Sequence, residues 1–149
     1  MILKNYINGV FVPAQSRAVR TYHNPADNTA LGEVAESAVE DIEAAIKAAR
    51  KAFDEGPWPR TPAVERAAKL FKLANLIESR AEELATMETR NNGKPLREAR
   101  FDVADAAACF RYYAGLATQP SGQSIEVGDP NIVCQTVREP IGVCGQIIP

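Results

Sequence analysis

The sequence is poor in the residues that most often announce a site. Its 149 residues include one histidine, one tryptophan, two methionines and three cysteines. Cys109, Cys134 and Cys144 are odd in number, share no C-x-x-C spacing and lie far from His23 in the chain, which argues against a disulfide framework or a zinc centre. Nor does one sign of charge dominate. Seventeen Lys and Arg are scattered among 19 Asp and Glu, for a formal net charge of -2. No basic stripe offers counterion release to nucleic acid, and neither nucleic acid nor a membrane surface is expected as a partner. No run approaches the roughly 20 apolar residues of a membrane span. The opening MILKNYINGV has no long apolar stretch followed by a small-residue cleavage site, so a cytoplasmic protein is expected. What is present, 46% hydrophobic and 24% charged residues, is the composition of a globular protein.

Along the chain, Asn8-Gly9 sits between apolar pairs in Tyr6-Ile7-Asn8-Gly9-Val10-Phe11, which predicts a β-hairpin because both turn residues tolerate positive φ. Short extended pieces follow at Arg20 to Tyr22 and Leu31 to Val34, separated by turn chemistry at residues 24–28. Ser37-Ala38-Val39-Glu40 reads as a capping box opening a helix whose apolar stripe is Val39, Ile42, Ile46, Ala49 and Phe53. Gly56-Pro57 and Pro59 end it, with Trp58 expected to cover the junction. Thr61-Pro62 predicts a second helix start. Its inner face is Leu70, Leu73, Ala74 and Ile77, with a fresh start at Ser79-Arg80-Ala81-Glu82 carrying Ala81, Leu84 and Met87. Gly93 stops that helix, and Pro95 opens a last one with Leu96, Ala99, Val103, Ala106, Phe110 and Tyr113 at spacings of three and four.

A polar connection from Thr118 to Pro130 leads to two extended runs. Ile132 to Arg138 is half-polar and suits a sheet with one wet face. Ile141 to Ile148 is almost wholly apolar and suits a central parallel strand buried on both sides. Such a strand needs neighbours, and the chain has none left to give. The order of elements therefore predicts an α/β protein whose sheet is only begun.

Candidate chemistry is thin. Gly142-x-x-Gly145 lacks the spacing of a dinucleotide or nucleoside-triphosphate loop, and glycines that ease packing explain it better. None of the cysteines has an adjacent base or cation to make a thiolate, so all three read as packing residues. His23 has no partner at recognisable spacing and reads as a surface-loop histidine. No catalytic residue and no metal ligand is assigned.

The residues nevertheless carry a resemblance. YINGVF, the Asn24-Pro25-Ala26 turn, NNGKPLREA, FRYYAG and above all VREPIGVCGQIIP resemble the N-terminal part of an NAD(P)-dependent aldehyde dehydrogenase, on its betaine-aldehyde dehydrogenase-like branch. The resemblance covers essentially the whole chain in order. In that family REPIGVCGQIIP is normally continued by Trp-Asn, whose amide helps stabilise an oxyanion; this sequence stops at Pro149, and a truncation before that pair is expected.

The resemblance implies an N-terminal hairpin, a helical layer and the first strand of a Rossmann-like sheet. Residues 1–121 and 140–149 would be a partial NAD(P)-binding domain and 122–139 an oligomerisation β-arm joining copies into a dimer or tetramer, with the catalytic domain absent. Ile147, Ile148 and Pro149 resemble strand-end positions on the nicotinamide-ribose side of NAD or NADP, consistent with ligands binding at the carboxyl ends of α/β strands. The complete protein would oxidise an aldehyde to a carboxylic acid through a cysteine thiolate and a glutamate-activated water. The family's cysteine, glutamate and pyrophosphate-approaching turn lie beyond this end, so the segment alone is expected to be inactive. Some members hold a monovalent cation near Tyr22-His23 with an aspartate where this chain has Asn91, and no such site is expected here. The alternatives are a truncated interaction module that pairs through its β-arm without catalysis, and an inert fragment.

Overall fold

The computed structural model describes residues 2–148. The hairpin forms as the sequence dictates. Strands β2 (Asn5–Ile7) and β3 (Val10–Val12) pair antiparallel with Ile7 opposite Val10. Asn8 at φ 51° and Gly9 at φ 82° supply the two positive angles that match a two-residue turn to the twist of its strands. Tyr6 and Phe11 face each other across it, ring centroids 4.9 Å apart. Beside it lies a three-stranded sheet with order β1-β5-β4: β1 (Ile2–Leu3) runs parallel to β5 (Ala30–Ala35), and β4 (Val19–His23) runs antiparallel to it. His23 is therefore the exposed last residue of a strand, opposite Ala30, rather than part of a loop.

Helix α1 (Val39–Asp54) starts one residue later than the capping box predicts. Ser37 does not cap it; its hydroxyl donates instead to Asn5 Oδ1 at 2.9 Å. The cap is built from the other end by Asp41, whose carboxylate accepts from the Ala38 N–H at 3.0 Å and from the Gln15 N–H at 3.0 Å. Asp41 is the one buried charged residue among the described residues, at 3% exposure, and its two backbone partners offset the cost of burial. A 3-10 turn at Trp58–Arg60 follows, with Trp58 half exposed rather than covering the junction.

Helices α2 (Ala63–Ser79), α3 (Ala81–Asn92) and α4 (Leu96–Leu116) pack together, α4 lying against both of the others. Neither Thr61 nor Ser79 caps: their hydroxyls donate back to the Pro57 and Leu76 carbonyls. Arg80 breaks α2 from α3, and Gly93 at φ 79° ends α3. The buried residues of this layer are Ala67, Ala74, Ala85, Ala99, Val103, Ala107 and Ala114, so the core is an alanine seam along which backbones approach closely. The predicted face of α4 holds through Ala99 and Val103 and then drifts: Ala107 and Ala114 turn inward, while Ala106 and Tyr113 are exposed. Leu73 and Met87, expected inside, are likewise exposed.

Beyond α4, among the described residues, only β6 (Ser124–Ile125) and β7 (Cys134–Gln135) pair, antiparallel. The strand expected over Ile132 to Arg138 is thus two residues of ladder. Ile141 to Ile148 forms no ladder with any described residue. Its isoleucines 141, 147 and 148 are exposed, because a strand can be buried only by neighbours and none lies beside it. The described chain is a mixed α/β structure with small sheets and four helices.

Candidate functional site

Of the residues assigned to the cofactor, Ile147 and Ile148 lie at the exposed end of the apolar run, and Pro149 lies outside the described residues. No other described side chain is gathered around them. They offer apolar contact, and nothing beside them donates hydrogen bonds to a phosphate. Gly142, at φ 102°, approaches the Arg50 guanidinium: a Cβ built there would meet Nη1 at 3.4 Å. That guanidinium lies 4.7 Å from the Phe53 ring centroid and pairs with Asp54 on its own helix. The described residues therefore do not fit a whole dinucleotide; two isoleucines could line one edge of it and no more.

The cysteines do not converge. Cys109 and Cys144 are exposed and Cys134 is half-buried, so none of the three is the core packing residue the sequence suggests. All are free thiols. Among the described residues no group of three or more His, Cys, Asp and Glu gathers around a common point. No helix among them is long and apolar enough to cross a membrane.

A cavity of about 770 Å³ opens between the three-stranded sheet and α3. Leu3, Tyr22, Leu31, Leu84, Met87 and Asn91 line it, so the strand end at Tyr22 and the helix end at Asn91 share one wall. Its carboxylates are already engaged. Glu82 accepts from Arg100 at 2.7 and 2.9 Å, and this pairing holds its pKa below the usual glutamate range. Glu83 is held down in the same way by Arg80. Glu88 takes the Lys94 ammonium at 2.7 Å.

Lys94, which the sequence places in a helix stop in preference to a phosphate-binding role, has a part that reading did not give it. It bonds Asp102 of α4 as well as Glu88, and these two carboxylates raise its pKa. Its ammonium ties the end of α3 to α4 across the Gly93-Lys94-Pro95 corner. The signal was present as acids six residues before and eight after a corner lysine, a spacing that only the turn brings together.

Comparison with known proteins gives this arrangement a place. Residues 11–149 match the family model described as "Aldehyde dehydrogenase family". Aldehyde dehydrogenase family 2 member B4, mitochondrial, of Arabidopsis thaliana is 46% identical over 144 residues, which are 96% of this chain and 27% of the relative. Betaine aldehyde dehydrogenase of Bacillus subtilis is 41% identical over 144 residues, 97% of this chain and 29% of the relative. The crystal structure of an NAD-dependent aldehyde dehydrogenase from Sinorhizobium meliloti superposes with a TM-score of 0.82 at 34% identity, over 89% of this chain and 27% of that one. A Staphylococcus aureus betaine aldehyde dehydrogenase in complex with NAD+ superposes with a TM-score of 0.81 at 36% identity, over 87% and 26%. The chain thus spans less than a third of the length of these relatives. With the family pattern running from the hairpin's second strand to the last residue, and the same backbone arrangement in solved members, this chain belongs to the aldehyde dehydrogenase family.

Proposed function

We propose that this chain serves NAD(P)-dependent oxidation of an aldehyde to a carboxylic acid, as the N-terminal portion of a dehydrogenase, and that residues 1–149 alone do not turn over. The observation that supports this most directly is the mismatch between family and site. The family match reaches Pro149, yet the described residues contain no activated nucleophile, no base beside one and no pyrophosphate cradle. A bound NAD+ or NADP+ would accept hydride from the substrate. This chain's part would be to present Ile147, Ile148 and Pro149 to the nicotinamide-ribose side and to shape the sheet that carries them.

Exposed surface supports a missing complement. A compact monomer of 16.2 kDa exposes about 7,400 Å² by surface-to-mass scaling, whereas this chain exposes 11709 Å². The surplus, on the order of 4,000 Å² on this one partner, is well above the roughly 800 Å² per partner of a standard interface and in the range of large obligate ones. In this reading 1–121 and 140–149 are part of a cofactor domain. Residues 122–139 form an arm that pairs with a second copy in a dimer or tetramer, its Val127, Val133 and Val137 open to receive it. The same exposed arm supports the second reading, an interaction module that pairs without catalysis. Three free thiols suit the reducing cytoplasm.

The test is a chimera. This chain replaces the matched segment of the Bacillus subtilis betaine aldehyde dehydrogenase, and NAD+-dependent oxidation of an aldehyde is followed by NADH absorbance. Turnover is expected from the chimera and none from the chain alone. A folded but inactive chimera, or turnover by the chain alone, would sink the proposal.

A further inference from the structure

We propose that Asn8 is a site of spontaneous backbone modification, a succinimide-forming asparagine whose reaction loosens the N-terminal hairpin, and that Asn92 is protected from the same reaction. The two positions are the chain's only Asn-Gly pairs. They share the chemistry, since glycine, having no side chain, lets the following nitrogen come close to the asparagine amide. Their surroundings differ.

The Gly9 backbone nitrogen, having lost its proton to base, attacks the Asn8 side-chain carbonyl carbon. A nitrogen–carbon bond forms, the bond to the side-chain nitrogen breaks and ammonia leaves. Water then opens the ring at one carbonyl to give aspartate, or at the other to give isoaspartate, in which the backbone runs through the side-chain methylene. The attack needs an unpaired nitrogen and a side chain free to turn. At the hairpin tip both conditions hold: Asn8 and Gly9 are exposed, and a Cβ added at Gly9 would meet nothing within 4 Å. Among the hydrogen bonds outside the regular elements of the described residues, none involves the Gly9 N–H.

At the helix end neither condition holds. The Gly93 N–H donates to the Thr89 carbonyl at 2.9 Å as the cap of α3. Asn92 Oδ1 accepts from the Lys94 N–H at 2.8 Å, and its Nδ2 donates to Glu88 Oε1 at 3.4 Å. Cyclisation there must first break the cap.

Isoaspartate at position 8 would lengthen a turn that is two residues long. The Ile7–Val10 and Tyr6–Phe11 pairings depend on that length, and Asn5, at the far end of β2, is where Ser37 holds the lead-in to α1. The purified chain is incubated at mildly alkaline pH, folded and in denaturant, and mapped by peptide mass spectrometry with an isoaspartate methyltransferase as probe. In the folded chain the mass gain of an amide-to-acid change is expected in the peptide carrying residue 8, faster as pH rises, with residue 92 many-fold slower. In denaturant the two rates should converge. N8Q should remove the signal, and the wild-type comparison of the two sites needs no variant to fold. Modification at Asn92 ahead of Asn8, or a folded chain inert at both while the unfolded chain reacts at both, would overturn the proposal.

Discussion

Helices α1 and α4 both carry apolar residues at spacings of three and four, yet the chain treats them in opposite ways. On α4 the inward residues are small, and Ala99, Val103, Ala107 and Ala114 disappear against α2 and α3. On α1 the stripe is larger and stays open, with Val39 at 69%, Ile42 at 55% and Ile46 at 54% exposure. Alanine lets two helix backbones meet without help from a third element. A face of isoleucine and valine needs a wide apolar surface opposite it, and no described residue supplies one. Side-chain size, more than periodicity, separates the face this chain covers itself from the face it leaves open.

The sharpest way to break that distinction is to enlarge an alanine on each side of it. Ala99, fully buried with Ala85 and Val103, has no room for three more carbons. Ala99→Leu is expected to cost about 1–3 kcal/mol, read from the urea unfolding midpoint of the chain. Ala49→Leu on exposed α1 should stay within about 0.5 kcal/mol. Equal losses would erase the difference between the two faces. The next effect is set by the corner that closes the seam. Gly93→Ala puts a side chain at φ 79°, 2.9 Å from Pro25 Cγ, and should lower stability by about 1–2 kcal/mol in the same assay.

Much of this was legible in the sequence because it is local. The Asn8-Gly9 turn, the stop at Gly93 and the breaks at Gly56-Pro57 and Arg80 each rest on the conformational range of one or two residues, and all lie where the residue types put them. The caps were misread because capping is a competition. Ser37 found Asn5, and Asp41 reached back to the Ala38 N–H, moving the cap one residue along the chain. The inner face of α4 drifted because neighbouring alanines at 106, 107 and 108 give periodicity nothing to choose between, and only packing decides. Burial of Ile141 to Ile148 was illegible for a different reason: apolar sequence states a need for neighbours, and the neighbours are a property of what the run meets. The candidate site fared likewise. Family resemblance named Ile147, Ile148 and Pro149, while the link from Lys94 to both Glu88 and Asp102 required the fold to bring distant acids to one corner.

The seam also carries a titration. Arg111 holds Glu78, and Arg100 holds Glu82, each carboxylate below its ordinary 4.5. A carboxylate depressed in the folded state stabilises it at pH values above the unfolded pKa, and that stability drains as pH falls through the folded value. The midpoint should therefore be flat from neutrality down to about pH 5 and decline below it. The decline should weaken at high salt, because these pairs are exposed and screened. Glu82→Gln should flatten part of the acid limb by lowering the midpoint slightly at neutral pH and leaving it nearly unchanged at acid pH. An acid limb identical to wild type would mean that the Arg100–Glu82 pair does not hold the seam in solution.

The smallest expected effect is the most discriminating. Ile46 stands on the open stripe of α1, so Ile46→Ala removes side-chain atoms that already face water, and the chain alone should lose no more than about 0.5 kcal/mol. In the chimeric dehydrogenase, where the proposed complement covers that stripe, the same substitution would empty part of a packed interface and cost about 2–5 kcal/mol. The two measurements separate ideas that agree on everything else. If α1 is simply an amphipathic helix whose apolar side tolerates water, Ile46→Ala is silent in both settings. If the stripe is half of a core whose other half lies in the rest of a dehydrogenase, silence in the isolated chain turns into a large loss once the halves meet.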